Sequence, residues 1–216
     1  MTSKVKCPEL TVVSPWNRIS LVSTVVAGSE DDTAVAAMRS DPRTRLYLPF
    51  FPPSVSAEEW KKVREERALS KWDFHARLVK LNEQSELPAY AFAAQCTIMH
   101  IDETNKSAEL GLIVRPDLHR TGIATEMLYL LLRLAFEHPD LKLHRAYFTT
   151  GYSNVQMKGW FEAYGILQEF RLREAWSDGK GGYVDAVGYS VLDWEWGDLK
   201  ERLERKLDAR LGPRSG

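Results

Sequence analysis

The sequence of 216 residues is poor in cysteine and contains no long hydrophobic run. Its two cysteines, Cys7 and Cys96, lie far apart and form no CxxC pair, which excludes a disulfide framework and favours reduced thiols. No segment approaches the roughly 18 apolar residues that a membrane-spanning helix needs. The first ten residues carry Lys4 and Lys6 and lack an apolar signal core. These absences predict a cytoplasmic protein with no membrane partner.

An excess of charge of one sign is also missing. The chain has 29 Lys and Arg against 30 Asp and Glu, a formal net charge of −1, and no long basic run. A polyanionic partner normally requires such an excess, so nucleic acid is not expected as a ligand. Hydrophobic residues make up 44% of the sequence, enough for a sizeable core, and no repeat or linker divides it. We predict one domain over 1–216, with a core at about 15–197 and a helical tail at 198–211.

Several well-known catalytic and binding motifs are absent. The sequence contains no GxxxxGK[ST] phosphate loop, no GxGxxG dinucleotide fingerprint and no GxSxG nucleophile elbow. Its five histidines show neither HExxH spacing nor paired cysteines beside them, so no metal is expected.

Hydrophobic periodicity predicts a mixed α/β sheet. Alternating β-branched stretches indicate strands, and a period of 3.6 residues with capping residues indicates helices. The predicted strands are 17–26, 72–81, 89–100, 107–114, 142–150, 167–175 and 183–194, and the predicted helices are 29–40, 57–69, 122–137, 154–164 and 198–211. A polar turn is predicted at 82–86. Trp60 and Val63 are expected to face inward, and Trp194 and Trp196 to join the core.

The segment 47–53 (YLPFFPP) is apolar but contains three prolines, so it is predicted to be a loop or extended chain. Two interpretations remain open. Either the loop packs against the core, or its aromatic side chains form a wall of a substrate cleft.

The junction between strand 107–114 and helix 122–137 carries the most suggestive pattern, ELGLIVRPDLHRTGIAT over 109–125. Small residues open the helix, so its first backbone N–H groups and the positive end of its dipole can form an anion site, with Arg120 adding a charge. Many loops that precede helices contain glycine. The residues alone therefore leave both a phosphate-bearing ligand and an ordinary loop open.

Four segments, taken in order, resemble the GNAT N-acetyltransferase superfamily. His119-Arg-Thr-Gly-Ile-Ala124 is similar to its [QR]-x-x-G-x-[GA] pyrophosphate loop, and 109–117 is similar to the strand and turn before that loop. Asn154, followed by Tyr164-Gly-Ile166, resembles the family's N-x-x-S…lGF segment. The end of the chain resembles the branch that contains ribosomal-protein-alanine N-acetyltransferases, and the match covers roughly 15–197.

The resemblance implies a mixed, mostly antiparallel sheet flanked by helices, an α/β (α+β) fold, with acetyl-CoA as co-substrate at the junction. It implies an N-acetyltransferase acting on a primary amine of a small molecule or a protein N-terminus. It assigns Glu109 the role of catalytic base, with an ion-paired or solvated strand residue as the alternative. It assigns acetyl-CoA binding to Leu112, Ile113 and Val114 (pantetheine arm and acetyl carbonyl), His119, Arg120, Thr121, Gly122, Ile123, Ala124 and Thr125 (pyrophosphate), and Asn154 (pantetheine).

The sequence departs from the family pattern at three positions. His119 replaces Gln or Arg, and Met157 replaces a small residue. Phe161 stands where many relatives have a tyrosine that reprotonates the leaving thiolate, and Tyr164 is three residues away. The substitution at Phe161 leaves open an alternative function, that of a non-catalytic acyl-CoA-binding module with the same fold.

The tail repeats leucine at positions 199, 203, 207 and 211. Such a row packs against its own domain or forms a dimer contact, so both a monomer and a homodimer are compatible with it.

Overall fold

The computed structural model describes residues 6–79, 90–212 and 214. Within these residues the strands are β1 (Thr11–Val13), β2 (Ile19–Ser23), β3 (Trp72–Val79), β4 (Tyr90–Asp102), β5 (Ser107–Val114), β6 (Arg145–Gly151), β7 (Leu167–Ser177) and β8 (Tyr183–Leu192). The helices are α1 (Thr24–Ala27), α2 (Asp32–Ser40), α3 (Pro42–Arg45), α4 (Ala57–Ala68), α5 (Ile123–Glu137), α6 (Val155–Glu162) and α7 (Asp193–Leu211), with a 3₁₀ turn at Pro116–Leu118. Among the described residues, no helix has the length and apolar character that crossing a membrane requires.

The strands form one sheet in the order β1-β2-β3-β4-β5-β6-β8-β7. All neighbours are antiparallel except β5 and β6, which run parallel because α5 connects them as a crossover. The predicted mixed, mostly antiparallel sheet flanked by helices is confirmed. The β5–α5–β6 unit lies in the interior of the sheet, which places the start of α5 at its centre.

Helices cover the two faces of the sheet differently. α5 buries ten of its 15 residues, as expected for a helix that is apolar all round, and packs between the sheet and α7. The leucine row of α7 packs on its own chain, and Leu199, Leu203 and Leu207 are at most 1% exposed. On the opposite face, α2 and α4 cover Phe92 with Val35, Met38 and Trp60. This second face is the one on which Glu109 lies, because side chains alternate along β5.

The predicted strand 17–26 is too long. β2 ends at Ser23, and Thr24–Ala27 forms the short helix α1. Val25 and Val26 continue the β-branched pattern in sequence, but both side chains are exposed. Gly28, with φ of 57°, then turns the chain away from the sheet.

The predicted end of the last strand is also wrong. β8 stops at Leu192, and Asp193 begins α7, where Asp193 and Glu195 in the first turn complement the helix dipole. Trp196 is buried as predicted, whereas Trp194 is 67% exposed and does not join the core.

The remaining predicted elements agree with the structure to within a few residues. Strand 107–114 is confirmed, and helix 122–137 begins at Ile123 with Gly122 as its N-cap. α4 begins with a capping box between Ser56 and Glu59. In α4, Trp60 is buried as predicted and Val63 is exposed, which is a correction. The predicted turn 82–86 lies outside the described residues.

Candidate active site

A gap opens between the two parallel strands at the centre of the sheet. β5 pairs with β6 only at Ser107–Arg145, Ala108–Ala146 and Glu109–Tyr147. Beyond Glu109, β5 remains paired with β4, and β6 remains paired with β8. The backbone groups of successive strand residues point to opposite sides of the strand. Because the Arg115 N–H donates to the Ala93 carbonyl at 3.0 Å, the backbone groups of Ile113 point to β4, and those of Leu112 and Val114 face the gap without a strand partner on that side. An extended ligand placed in the gap can use these N–H and C=O groups.

The loop between β5 and α5 presents its N–H groups outward. Arg120 and Gly122 adopt positive φ of 61° and 95°. Successive amides in such a conformation converge to form an anion-binding concavity. Among the described residues, no backbone N–H from Arg120 to Thr125 has a hydrogen-bond partner, and no side chain caps α5. The amides and the helix dipole together form a site for an anion.

The carbonyl groups of the same loop face the protein. Two guanidinium N–H groups of Arg18 donate to the Thr121 carbonyl at 3.3 Å. Arg210, from α7, donates to the Arg120 carbonyl. The Thr121 hydroxyl donates to the Leu118 carbonyl at 2.6 Å. Because these bonds hold the carbonyl oxygens inward, the amides are left directed at an incoming anion.

The other predicted binding residues take different positions. The His119 ring Nε2 lies 3.2 Å from the Val114 carbonyl, so it braces the end of β5. The Ile123 side chain is buried, and only its backbone is available to a ligand. Ala124 and Thr125 are partly buried in the first turn. Asn154 caps α6, accepting from the Met157 amide at 3.1 Å, and its Nδ2 donates to Thr150 Oγ1 at 3.0 Å.

Glu109 lies at the point where the gap begins. Its side chain is 15% exposed and its Oε2 is 2.9 Å from Nδ1 of His100, which is 62% exposed. Tyr147 is its register partner on β6, so both side chains project from the same face. Burial, and secondarily the negative charge of Glu109, raises the pKa of Tyr147. The gap is thus bordered by a carboxylate and by a phenol that holds its proton at neutral pH.

Phe161 is fully buried and offers no exchangeable proton. Its ring lies 4.9 Å from those of Phe148 and Tyr189, centroid to centroid. Tyr164 does not take over its position, because its hydroxyl lies 3.1 Å from Thr125 Oγ1, beside the loop. The aromatic cluster supports α6 against the sheet.

The proline-rich loop 47–53 lies on the face that carries Glu109. Phe51 is buried, with the Arg39 guanidinium 3.9 Å from its ring centroid, as the packing interpretation predicts. Phe50 is 47% exposed and contacts the Trp176 ring at 5.1 Å. Phe51 thus packs against the core, and the interpretation of the loop as a wall of a substrate cleft stays a prediction for Phe50.

Sequence reasoning missed Tyr147, Arg18 and Arg210. The order strand, helix, strand does indicate that β5 and β6 are parallel neighbours, so Tyr147 had a detectable signal. Arg18 and Arg210 contact the loop from more than 85 residues away along the chain, and nothing in their local sequence indicates it. Within the described residues, no group of three or more His, Cys, Asp or Glu could hold a metal ion.

Comparison with known families agrees with this geometry. A family model described as the Acetyltransferase (GNAT) domain matches residues 25–167, more than half of the chain. The chain belongs to the GNAT acetyltransferase family.

Two kinds of relative extend this assignment. The chain is similar to YdaF of Bacillus subtilis (strain 168), named as a ribosomal N-acetyltransferase, with 29% identity over 100 residues. That match covers 46% of this chain and 53% of YdaF, so the chain spans about half the length of this curated relative.

Solved GNAT structures share the fold. A GCN5-related N-acetyltransferase from Brucella melitensis superposes with a TM-score of 0.73 at 20% identity, over 95% of this chain and 88% of that one. A spermidine N-acetyltransferase from Vibrio cholerae, in complex with CoA and spermine, gives a TM-score of 0.67 at 17% identity, over 83% and 98% of the two chains. At these identities the likeness shows the fold alone.

GNAT enzymes use acetyl-CoA, and the residues present here fit that molecule. The outward amides of the loop at 120–125 match the charge of a pyrophosphate. The strand edge at Leu112 and Val114 offers amide partners to a pantetheine arm. Both features meet at the amino-terminal end of α5.

Proposed function

We propose that this GNAT protein is an acetyl-CoA-dependent N-acetyltransferase that acetylates a primary amine, either of a small molecule or of a protein N-terminus. The observation that carries the proposal is the direct continuity between the β5–β6 gap and the anion-binding loop at the start of α5. An elongated molecule with a pyrophosphate at one end and a thioester at the other fits both. The same proposal describes the chain as one domain and the protein as cytoplasmic, a monomer or a homodimer.

The loop residues bind the pyrophosphate of acetyl-CoA, and the strand residues orient its thioester. Backbone N–H groups from Arg120 to Thr125 hold the pyrophosphate. Asn154 contacts the pantetheine with the second N–H of its side-chain amide, since the first donates to Thr150. Acetyl-CoA supplies an acetyl group activated as a thioester. The backbone N–H groups of Leu112 and Val114 face the gap, and there they can donate to the acetyl carbonyl and stabilise negative charge that develops on its oxygen.

Glu109 removes the proton of the acceptor amine. A primary amine with a pKa of about 10 is mostly protonated at neutral pH, so a base must act before attack. Glu109 is partly shielded at the mouth of the gap, and His100, at 2.9 Å and largely exposed, offers a path to solvent for the proton. An ion-paired Glu109 with only a structural role remains the alternative.

Tyr147 is the group we propose for protonating the leaving thiolate. It borders the gap beside Glu109, and its raised pKa keeps the phenol protonated. Phe161, at the position where relatives carry a tyrosine, has no proton to give. Tyr147→Phe should therefore lower turnover while leaving CoA affinity unchanged.

The acceptor class is supported by the relatives. The related YdaF is named as a ribosomal N-acetyltransferase, and a fold neighbour was solved with spermine. The test is an acceptor screen that contains peptides with free N-termini, polyamines and amino acids. Release of free thiol from acetyl-CoA identifies turnover, and mass measurement identifies the acetylated amine.

A non-catalytic acyl-CoA-binding module is the second candidate, favoured by the buried phenyl ring of Phe161. It predicts CoA binding without thiol release for every amine tested. The same screen therefore separates the two candidates.

A further inference from the structure

Helix α7 separates its side chains into three rows. One row is buried against α5 and β-sheet residues, and comprises Leu199, Leu203 and Leu207. On one flank of α7, two acidic side chains accept hydrogen bonds from the rest of the domain. Glu204 accepts from the Tyr129 hydroxyl at 3.0 Å, and Asp208 accepts from Trp16 Nε1 at 2.9 Å.

The other flank carries Arg202, Lys206 and Arg210, spaced four residues apart, which we call the basic row. Residues at this spacing lie above one another on a helix, each about 6 Å further along the axis. Within the described part of the chain, none of the three forms an ion pair with a carboxylate. Three unneutralised cations on one flank form a local positive field in a protein whose net charge is −1.

The basic row faces the anion-binding loop. Arg210 donates through Nη2 to the Arg120 carbonyl, and its Nε lies 3.1 Å from the position that a Cβ on Gly122 would take. Lys206 lies one turn away, with its Nζ 4.1 Å from the Tyr164 ring centroid. Nε and Nη1 of Arg210 therefore remain available next to the loop.

A groove of about 320 Å³ runs between the start of α5, the end of α6 and the basic row. Gly122 and Thr125 line one side, Tyr164 lines another, and Lys206 and Arg210 line the third. The groove thus begins at the loop amides and ends among cations. It shares Gly122 and Thr125 with the site proposed for the pyrophosphate.

We propose that α7 holds the 3′-phosphate of the adenosine of acetyl-CoA in this groove, with Lys206 and Arg210 as direct ligands and Arg202 extending the positive field. The inference rests on the proposed function. CoA carries one phosphate more than the pyrophosphate that the loop amides satisfy. A phosphate monoester carries close to two negative charges and binds charged donors strongly. The carbonyl of Ala163, which Lys206 now contacts at 3.2 Å, is a weaker partner than that phosphate.

The test compares CoA with 3′-dephospho-CoA by calorimetry on the full chain. We expect the unmodified protein to bind CoA about tenfold or more tightly than 3′-dephospho-CoA, as for a charge-assisted contact. Lys206→Gln should remove most of this preference by weakening CoA binding alone. Arg210→Gln should also reduce the preference for CoA. Because Arg210 also donates to the loop carbonyl of Arg120, this variant can disturb the loop itself, and Lys206→Gln is the clearer test. Arg205→Gln is the matched control, because Arg205 is exposed on α7 outside the basic row.

The outcomes are distinguishable. Equal affinity of the unmodified protein for both compounds overturns the phosphate subsite while leaving the proposed function intact. If folded Lys206→Gln loses affinity for CoA and for 3′-dephospho-CoA to the same extent, the phosphate subsite is also overturned and the proposed function stands. Failure of the unmodified protein to bind either compound overturns both. Circular dichroism and thermal unfolding of each variant establish that it is folded.

Discussion

Glu126 is a buried carboxylate in the first turn of α5, close to the anion-binding loop. Its ionisation affects the stability of the protein. Its side chain is fully buried, and its nearest cation is Arg18, whose Nη1 lies 3.8 Å from Oε2. Arg18 also holds the Thr121 carbonyl. Burial raises the pKa of Glu126, and the charge of Arg18 opposes that shift. The carboxylate therefore carries a stability cost when it is ionised.

This cost predicts a pH-dependent effect of Glu126→Gln. A raised pKa in the folded state gives stability that is fully present below the unfolded value of 4.5 and is lost as pH rises through the folded value. Gln carries no charge at any pH, so the variant does not lose stability as the pH rises. Its free energy of unfolding should exceed that of the unmodified protein by about 1 kcal/mol at pH 8 and should equal it near pH 4. Urea denaturation across pH measures the difference. Glu65→Gln, on an exposed residue of α4, should give a flat difference.

Substitution of Glu109 tests whether this residue is the catalytic base. If it removes the amine proton, Glu109→Gln should lower turnover by roughly 10²–10³-fold with little change in acetyl-CoA affinity, because Gln keeps the shape but accepts no proton. His100→Gln leaves the carboxylate in place and should have a smaller effect. A structural Glu109 predicts instead near-normal turnover and a loss of about 1 kcal/mol in stability. Steady-state kinetics with the acceptor found in the screen decides between them.

At the scale of the element, the start of α5 depends on backbone conformation more than on side chains. Gly122 has φ of 95°, and a Cβ there would stand 3.1 Å from Arg210 Nε. The same amides that lack partners inside the protein are the ones that we propose as the pyrophosphate ligands. Stability and binding are thus coupled in one short loop.

Gly122→Glu should abolish CoA binding while the fold is retained. The new carboxylate repels the pyrophosphate and blocks its approach to the amides. Gly181→Glu is the matched control, because Gly181 has φ of 93° and no neighbour within 4 Å of its Cβ position. Calorimetry with CoA measures both. Undiminished affinity in a folded Gly122→Glu protein would contradict the assignment of the loop.

The edge strand β7 depends on another glycine. The Phe170 ring occupies the space in which a Cβ on Gly188 would stand. Gly188→Ala should therefore displace Phe170 and lower the free energy of unfolding by about 1–3 kcal/mol, as overpacking does. Gly159→Ala, in α6 with open space around it, should be neutral or stabilising by up to about 1 kcal/mol. Chemical denaturation of the two variants tests this contrast.

At the scale of the whole molecule, local patterns predicted local structure well. Periodicity located β5 and α5, and the order of elements predicted a mixed sheet flanked by helices. The errors lie where two local patterns compete. Val25 and Val26 have strand character but follow the last sheet position of β2, and Trp194 has core character but begins a helix.

The site was only partly predictable for a related reason. The loop and Glu109 lie on one continuous segment, so their motif could be read directly. Arg18 and Arg210 reach the loop only through tertiary packing, and the burial of Phe161 depends on β6 and β8. Contacts between distant segments leave no local pattern, so the way the loop carbonyls are held had to come from the structure.

The short pairing of β5 with β6 has a consequence for exchange of ligand. Three residue pairs join a five-stranded part of the sheet to a three-stranded part. A molecule seated in the gap bridges both parts and supplies the ladder partners that β6 does not. Amide protons within Leu110–Val114 should then exchange with deuterium markedly more slowly when CoA is present, as measured by mass spectrometry, with those of α4 as internal reference. The proposed co-substrate would act as an inserted strand, and its departure would leave this edge of β5 without ladder partners.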